Sequence, residues 1–308
     1  MTPDARIFVA GGDSFVGAAI VKALERRGYR NVVTGIDDKL DLTDAERVDT
    51  FIARERPQYV FCVAGRTGGI DANRRYPADL MVDNLLVQTH VIRSAYRHAV
   101  RKLLYLASSC AYPRECPQPM REAFLMTGRL EPTNEAYAVA KLTGITLCHA
   151  FRQQYGVPFI SAIPANPYGP SDDFSPETSH VIPALLRRCY LATTSNAPTV
   201  EIWGTGEARR EFIFVDDLAD ACVFVMRGYD AAAPINLGTS SEVSVRELAM
   251  LINDVVGYRG ELVFDRSRPD GMPRKSLDSR RLEALGWKPT TTLRAGLEAT
   301  FEWWRSRA

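Results

Sequence analysis

The stretch that decides the fold lies near the start of the chain, at residues 6–17, RIFVAGGDSFVG. Residues 6–10 are mostly β-branched or aromatic, as in a buried strand. Gly11 and Gly17 bound a turn that opens the amphipathic segment 18–27. A strand, a glycine turn and a helix in this order let the backbone approach a pyrophosphate at the positive end of the helix. The residues expected to contact such a dinucleotide are Gly11, Ser14, Phe15, Val16 and Gly17.

Strands and helices alternate beyond this stretch. Apolar runs at 31–36, 59–64, 102–107 and 158–163 predict four more strands, each separated from the next by a helical pattern. The alternation predicts an α/β fold, a doubly wound parallel sheet of the Rossmann type, with ligands bound beyond the carboxyl ends of the strands.

The alternation stops after residues 166–170, where loops rich in Pro, Ser, Thr and Asp begin. We expect a smaller interleaved α/β substrate lobe, because the chain returns to the core with the apolar run 212–215. The expected dinucleotide-binding domain is 1–166 plus about 211–238, and the expected substrate-binding domain is 167–210 plus about 239–308.

The second predicted strand ends in Asp37, Asp38 and Lys39. An acidic side chain here suits the free 2′-hydroxyl of NAD(H), whereas a basic one suits the 2′-phosphate of NADP(H). Asp37 is the residue that we expect at the adenosine ribose. Asp38 adds to the preference for NAD(H), and Lys39 opposes it. A solvated turn without a binding role explains the same residues. Both NAD(H) and NADP(H) therefore stay open as cofactors.

Two long helices are predicted at 77–98 and 135–155, and apolar residues cover more than one face of each. A helix that is apolar so far around needs two partners. We therefore expect both helices to pack on the sheet and on their copies in a homodimer.

The composition excludes several classes of protein. The net charge of +1 argues against general nucleic-acid binding, and no run approaches the roughly 20 apolar residues that a membrane span requires. Six cysteines show no CxxC or other metal spacing, and the chain starts without a signal segment. We expect reduced thiols, a cytoplasmic location and no metal.

Tyr137 and Lys141 are four residues apart in a segment of good helix formers, so they share a helix face. An ammonium beside a phenol stabilises the phenolate and favours acid–base chemistry. The pair alone arises often by chance. Together with the glycine turn and with Ser108, which follows the fourth strand, it resembles the nicotinamide-dependent short-chain dehydrogenases/reductases, in which Ser, Tyr and Lys converge on a carbonyl.

Four longer strings resemble the GDP-L-fucose synthase family, extended members of that group, over nearly the whole chain. These strings are residues 108–113, 131–137, 179–188 and 269–275. One departure is Ser14, because the family pattern has glycine at the first, fourth and seventh positions of the turn. Ser14 suits a helix N-cap, and the dinucleotide is then held less closely or in a shifted pose.

The resemblance implies NAD(P)H-dependent 3,5-epimerisation and 4-keto reduction of a GDP-4-keto-6-deoxy-hexose. It implies Cys110 as base and His180 as acid for the epimerisation, with His180 also near the cofactor. It implies Tyr137 as proton donor for the reduction, with Lys141 on the nicotinamide ribose and Ser108 on the carbonyl. The implied substrate residues are Ser108, Asn166, Arg188, Trp203, Arg210 and Lys275.

Two other functions fit the same residues. One is a GDP-hexose 4-ketoreductase that acts on another 4-keto sugar without epimerisation, which Cys110 and His180 argue against. The other is a non-catalytic nucleotide-sugar-binding relative, which Ser14 permits. The Ser108, Tyr137 and Lys141 set argues against it, because a sensor needs no proton donor.

Overall fold

The computed structural model describes residues 1–268 and 270–308, and for residue 70 the backbone alone. Strands and helices follow one another along most of the chain. In chain order they are β1 Arg6–Ala10, α1 Phe15–Arg26, β2 Asn31–Val33, α2 Ala45–Glu55, β3 Tyr59–Cys62, α3 Ile70–Arg75, α4 Pro77–Arg97, β4 Lys102–Leu106, α5 Glu135–Tyr155, β5 Phe159–Pro164, β6 Asn166–Tyr168, α6 Val181–Thr194, β7 Thr199–Trp203, β8 Arg209–Phe214, α7 Val215–Gly228, β9 Ile235–Leu237, β10 Glu242–Ser244, α8 Val245–Val256, β11 Glu261–Asp265, β12 Arg274–Lys275, α9 Arg280–Ala284 and α10 Leu293–Arg305.

The main sheet has six parallel strands in the order β2-β1-β3-β4-β5-β9. Its order reverses between β1 and β3, which is where a doubly wound sheet opens its ligand crevice. The predicted Rossmann-type fold is confirmed. Strand β2 is shorter than predicted, because residues 35–40 form a tight turn in which the amides of Lys39 and Leu40 donate to the carbonyls of Ile36 and Gly35.

Helices cover both faces of this sheet. Helices α1 and α7 pack together on one face, and α4 and α5 pack together against β3, β4 and β5 on the other. The strands between them are almost completely buried, as in β1, where Ile7 to Ala10 have no exposed surface. This matches the near-continuous apolar runs of the predicted strands, since parallel strands are covered on both faces.

The smaller lobe has its own core. Strands β10, β8 and β12 form a sheet that β6 joins by pairing with β8, and β7 pairs with β11. Helices α6, α8 and α10 supply most of the buried side chains of this core, among them Leu186, Leu248 and Leu297. The lobe is therefore held together by apolar packing separate from that of the main sheet.

The chain passes between the lobes more often than the sequence predicts. In the run 212–215, Ile213 and Val215 are buried in the larger core, but β8 itself pairs within the smaller sheet. The return is made by α7 and β9. Four later side chains, from the part assigned to the substrate domain, are also buried in the larger core: Met272, Leu277, Leu282 and Trp287.

In the part of the chain that the structure describes, we find no helix with both the length and the apolar character needed to cross a membrane.

Candidate active site

The turn after β1 has the shape of a dinucleotide cradle. Gly11 has φ +89°, and a Cβ there would lie 2.7 Å from the Cα of Ala64. A Cβ on Gly17 would lie 1.8 Å from the carbonyl oxygen of Gly11. Side chains at these positions would collide with Ala64 and with the turn itself, so glycine is what allows the turn to pack this tightly between β1 and α1.

Ser14 is the N-cap of α1, as the sequence allowed. Its hydroxyl accepts a hydrogen bond from the amide of Gly17 at 3.1 Å and donates to the carbonyl of Gly11 at 2.7 Å. The serine thus fastens the turn to the helix where the family pattern has glycine. The remaining turn residues expected at the cofactor, Phe15 and Val16, form the first turn of α1 and are half-buried.

Tyr137 and Lys141 lie on one face of the first turns of α5, and the Nζ of Lys141 is 5.8 Å from the centre of the Tyr137 ring. Burial lowers the pKa of Lys141 to about 8, although the neighbouring thiols of Cys62 and Cys110 act the other way. Burial and the Cys110 thiol raise the pKa of Tyr137, and the nearby Ser108 hydroxyl offsets this only in part.

The expected lowering of the Tyr137 pKa by Lys141 is therefore wrong for this geometry. The ammonium lies over the face of the phenol ring, 5.8 Å from its centre, and burial sets the direction of the pKa shift. A raised pKa keeps the phenol protonated at neutral pH, which suits a proton donor better than a proton acceptor.

Cys110 lies in a short 3₁₀ helix, Ser109–Ala111, directly after β4. Its Sγ accepts hydrogen bonds from Asn134 Nδ2 at 3.1 Å and from Lys275 Nζ at 3.3 Å. Burial alone would raise the pKa of this thiol, but the charge of Lys275 and the hydrogen bonds from Ser108, Lys275 and Asn134 outweigh burial and lower the pKa. The arrangement stabilises a thiolate.

His180 is the N-cap residue of α6, and its side chain is exposed to the cleft. Crowding by protein atoms and the charge of Lys275 lower the pKa of the imidazole, whereas Asp173 acts to raise it. Lys275 therefore influences both Cys110 and His180. The structure brings these two residues to one cleft together with Ser108, Tyr137 and Lys141.

The residues expected at the substrate fall into two groups. Arg210 lies deep in the cleft, where its guanidinium donates to the carbonyls of Arg209 at 2.8 Å and Asp270 at 3.0 Å. Burial lowers its pKa, while Asp270, Cys110 and Glu131 raise it. Asn166 belongs to the same inner group and donates to the carbonyl of Glu211 at 2.7 Å.

The outer group surrounds Trp203, which is 38% exposed at the end of β7. The guanidinium of Arg188 lies 5.3 Å from the centre of its ring, and that of Arg268 lies 4.8 Å away. Two cations beside an exposed indole can hold a phosphate and stack on a flat ring.

Three residues of this region carried no predicted role. Arg268 and Asn134 are within or beside the quoted strings, but their partners are distant in sequence. Asn84 is a polar residue on the buried face of α4, and its amide donates to the carbonyls of Arg66 and Leu80 at 2.8 and 2.7 Å. Its Oδ1 has no hydrogen-bond partner among the described residues, and a Cβ on Gly65, which has φ +150°, would lie 2.3 Å from this oxygen and 3.1 Å from the Nζ of Lys141. The sequence signal for Asn84 was an amide side chain among the apolar residues of the predicted helix 77–98.

The string 269–275 connects the inner group of substrate residues to the outer group. The carboxylate of Asp270 accepts hydrogen bonds from the amide and the hydroxyl of Thr205, both at 2.8 Å, and Lys275 reaches Cys110. Pro269 lies outside the described residues. Over the described ranges, no group of three or more His, Cys, Asp or Glu side chains could hold a metal ion.

The model of the NAD dependent epimerase/dehydratase family matches residues 7–238. The chain belongs to this family. GDP-L-fucose synthase 1 of Arabidopsis thaliana is 51% identical over 300 residues, which cover 97% of this chain and 93% of that protein. GDP-L-fucose synthase of Escherichia coli K12 is 47% identical over 307 residues, covering 97% and 96%.

Two solved structures from Campylobacter jejuni are similar over their whole length. One is a GDP-6-OMe-4-keto-L-xylo-heptose reductase, with TM-score 0.95, 33% identity and coverage of 100% and 99%. The other is a GDP-D-glycero-L-gluco-heptose synthase in the presence of NADPH, with TM-score 0.90, 33% identity and the same coverage. Family membership confirms the predicted similarity to GDP-L-fucose synthases, the predicted enzyme class and the nicotinamide dinucleotide cofactor, NADP(H) or NAD(H).

Proposed function

We propose that the protein converts GDP-4-keto-6-deoxy-D-mannose to GDP-L-fucose by 3,5-epimerisation and NAD(P)H-dependent reduction of the 4-keto group. Identity of 47–51% over nearly the full length of GDP-L-fucose synthases supports this substrate. The observation that carries the proposal is the thiol of Cys110, held 3.3 Å from the ammonium of Lys275 in the same cleft as Tyr137 and His180. A reductase alone needs no such thiolate.

Epimerisation needs a base and an acid on opposite faces of the sugar. The 4-keto group acidifies the hydrogens on C3 and C5, and the Cys110 thiolate removes one as a proton. The imidazolium of His180 then delivers a proton to the other face. The Cys110 thiol loses its captured proton to solvent and the imidazole takes one up from solvent, which restores both groups for the same exchange at the second carbon. Lys275 lowers the pKa of the thiol and so favours the thiolate, and we therefore assign Lys275 to Cys110 in place of the substrate contact expected from the sequence.

Reduction uses the second set of residues. The dinucleotide, when bound in the cradle at Gly11, supplies a hydride for C4. Tyr137 donates its phenolic proton to O4 as the negative charge develops there, and the Ser108 hydroxyl donates a hydrogen bond to the same oxygen. Lys141 binds the nicotinamide ribose and compensates the charge left on Tyr137. The raised pKa of Tyr137 supports this direction of proton transfer.

The guanidinium groups bind the GDP part. We assign Arg210 and Asn166 to the sugar and its nearer phosphate, because Arg210 lies next to Cys110. Arg188 and Trp203 bind the outer phosphate and the base, with Arg268 added to them because it lies against the same indole ring. Guanidinium forks bind phosphate oxygens two at a time.

A 4-ketoreductase without epimerisation is the second candidate, favoured by the TM-score of 0.95 with the heptose reductase. One experiment separates it from the proposal. Purified protein is incubated with GDP-4-keto-6-deoxy-D-mannose and NADH or NADPH, and the sugar formed is identified by NMR. GDP-L-fucose supports the proposal. A GDP-6-deoxy-D-hexose supports the simple reductase, and no reaction with either cofactor supports the non-catalytic relative.

We also propose a homodimer formed by α4 and α5. Val82 and Leu86 are one helical turn apart on the outer face of α4, and they are 51% and 37% exposed. Exposed apolar side chains in such a row are typical of a helix that packs on a partner.

We retain the two predicted domains and assign residues 277–287 to the dinucleotide-binding one, because Leu277, Leu282 and Trp287 are buried in its core, whereas β12 before them pairs within the smaller sheet. The six cysteines are free thiols, which supports a reducing cytoplasmic location.

A further inference from the structure

We infer that this enzyme uses NADH in preference to NADPH, because the carboxylates of Asp13 and Asp37 border the position of the adenosine ribose. The inference rests on the proposed function and specifies its reductant. Two neighbouring turns carry these carboxylates, and each turn follows a strand of the main sheet at its carboxyl edge.

The two turns are in contact. Strands β1 and β2 are parallel neighbours, with Phe8 paired to Val33. In the turn after β1, a Cβ on Gly12 would lie 2.4 Å from the Cγ2 of Thr34, which begins the turn after β2. Asp13 follows Gly12 directly, and the tight turn 35–40 carries Asp37. Both carboxylates are exposed at the edge where the cradle for the pyrophosphate lies.

The arginines near this edge are already engaged. Arg54 pairs with Asp38 at 2.6 Å and with Glu55 at 2.8 Å. Arg47 donates to the carbonyl oxygens of Lys39 at 2.7 Å and Asp38 at 3.5 Å. Lys39 is then the basic side chain of the turn 35–40 that is left to face a 2′-phosphate.

Within the described part of the chain, the carboxylates of Asp13 and Asp37 are not paired with basic side chains in this way. Neither Asp13 nor Asp37 has a hydrogen-bond or ion-pair partner among the residues that the structure describes. A carboxylate can only accept hydrogen bonds, so it suits the two donor hydroxyls of an unmodified ribose.

A 2′-phosphate reverses this fit. It carries a charge of about −1.5 to −2 near neutral pH and offers acceptor oxygens only, as other phosphate monoesters do. Beside Asp13 and Asp37 it meets like charges and acceptors, and Lys39 offsets only part of the repulsion. The heptose synthase from C. jejuni was solved in the presence of NADPH on the same fold. The fold itself therefore does not exclude NADPH.

Binding of the two dinucleotides to the purified full-length chain, measured by calorimetry without sugar substrate, tests the inference. We expect NADH to bind at least about 30-fold more tightly than NADPH, a difference of about 2 kcal/mol. Asp37→Asn and Asp13→Asn should each reduce this ratio. Asp4→Asn is the matched control, because Asp4 is an exposed aspartate before β1, at the opposite edge of the sheet. It should leave the ratio unchanged.

The Lys39→Ala variant is expected to weaken NADPH further and to leave NADH binding unchanged. Equal affinity for the two dinucleotides, or tighter binding of NADPH, would overturn the inference and leave the proposed function intact. An unchanged ratio in both Asp37→Asn and Asp13→Asn would overturn the assignment to these carboxylates. Failure to bind either dinucleotide would overturn the inference and the proposed function together.

Discussion

Lys275 is the residue on which the epimerase half of the site depends. Its ammonium hydrogen-bonds to the thiol of Cys110 and lowers the pKa of both that thiol and His180. A lower thiol pKa supplies the base, and a lower imidazole pKa makes the corresponding imidazolium a stronger acid. One cation thereby adjusts both partners of the proton exchange.

Replacement of Lys275 by methionine should make Cys110 less reactive. Removal of the adjacent charge leaves burial to raise the thiol pKa, so less thiolate is present at neutral pH. We expect alkylation of Cys110 by iodoacetamide at pH 7 to slow at least about fivefold, with much of the rate recovered at pH 9. Peptide mass spectrometry measures the rate at Cys110 separately from Cys116. Lys288→Met, at an exposed lysine, is the control, and equal rates in the two variants would refute the role of Lys275.

Asp172 should make the stability of the protein depend on pH. Burial raises its pKa to about 7, the charge of Asp173 adds to this, and a hydrogen bond from the amide of Asp173 opposes it. Between the usual pKa of 3.8 and about 7, the folded state therefore holds a proton that the unfolded chain has lost. Stability must then fall as pH rises through this window.

Asp172→Asn imitates the protonated acid and should remove that loss. In urea unfolding, the free energy of unfolding of the variant minus that of the wild-type protein should rise by more than about 1 kcal/mol from pH 5 to pH 8. A difference in unfolding free energy that is the same at both pH values would contradict the raised pKa.

The sequence could predict only part of this residue-level arrangement. Tyr137 and Lys141 share one helix, so their spacing alone places them together. Cys110 and Lys275 are 165 residues apart, and nothing local in either string indicates the contact. The same limit applies to Arg268, which follows β11 and whose partner Trp203 is 65 residues earlier, at the end of β7. Long-range pairs of this kind follow from the packing of the two lobes.

Helix α5 is the element that holds the reducing residues, and two buried side chains fix it. Gln88 of α4 donates to the carbonyl of Ala140 at 2.8 Å, and the hydroxyl of Tyr105 donates to Oε1 of Gln88 at 2.6 Å. The ring of Tyr105 also lies 5.6 Å from the ammonium of Lys141. The pattern of apolar residues predicted the bounds of α5 correctly, but it could not show this polar link because Tyr105 reads as an ordinary strand residue.

Tyr105→Phe should destabilise the protein through this link. Loss of the hydroxyl leaves Oε1 of Gln88 buried without a donor, which costs about 1–3 kcal/mol. Chemical unfolding measures the cost. Tyr155→Phe, at an exposed tyrosine of the same helix, should stay within about 0.5 kcal/mol of the wild type. If both variants unfold alike, the link contributes nothing.

The outer faces of α4 and α5 should join two copies of the chain. Sedimentation equilibrium at micromolar concentration is expected to give twice the chain mass of 34.3 kDa. Leu86→Asp puts a charge in the proposed contact and should shift the mass toward the monomer, while Met250→Asp, at an exposed apolar residue of α8, should not. A wild-type mass of 34.3 kDa would contradict the two-sided packing inferred for these helices.

At the scale of the whole molecule, the two lobes are tied together around the site. The buried carboxylate of Glu211, on β8, accepts hydrogen bonds from the amides of Thr239, Ser240 and Leu277. These amides belong to segments that follow β9 and β12, so one side chain joins the smaller sheet to the main one. The cleft between the lobes is where Lys275 reaches Cys110.

The alternation of strands and helices was enough to predict the main sheet, because each parallel strand is a continuous apolar run. The smaller lobe was harder to predict, since its strands are short and pair with segments far along the chain. Residues 277–287 show the difficulty: they directly follow β12, a strand of the smaller sheet, but their apolar side chains pack in the main core. No local pattern distinguishes the two destinations.

In the proposed function, one cleft both epimerises and reduces a GDP-4-keto sugar. The most direct test is to run the reaction on GDP-4-keto-6-deoxy-D-mannose in D₂O with NADH and to locate deuterium in the product by NMR. We predict GDP-L-fucose with solvent deuterium at C3 and C5 and with the hydrogen from the cofactor at C4. A reduced product with no deuterium at C3 or C5 would show that Cys110 and His180 exchange no protons, and would contradict the account.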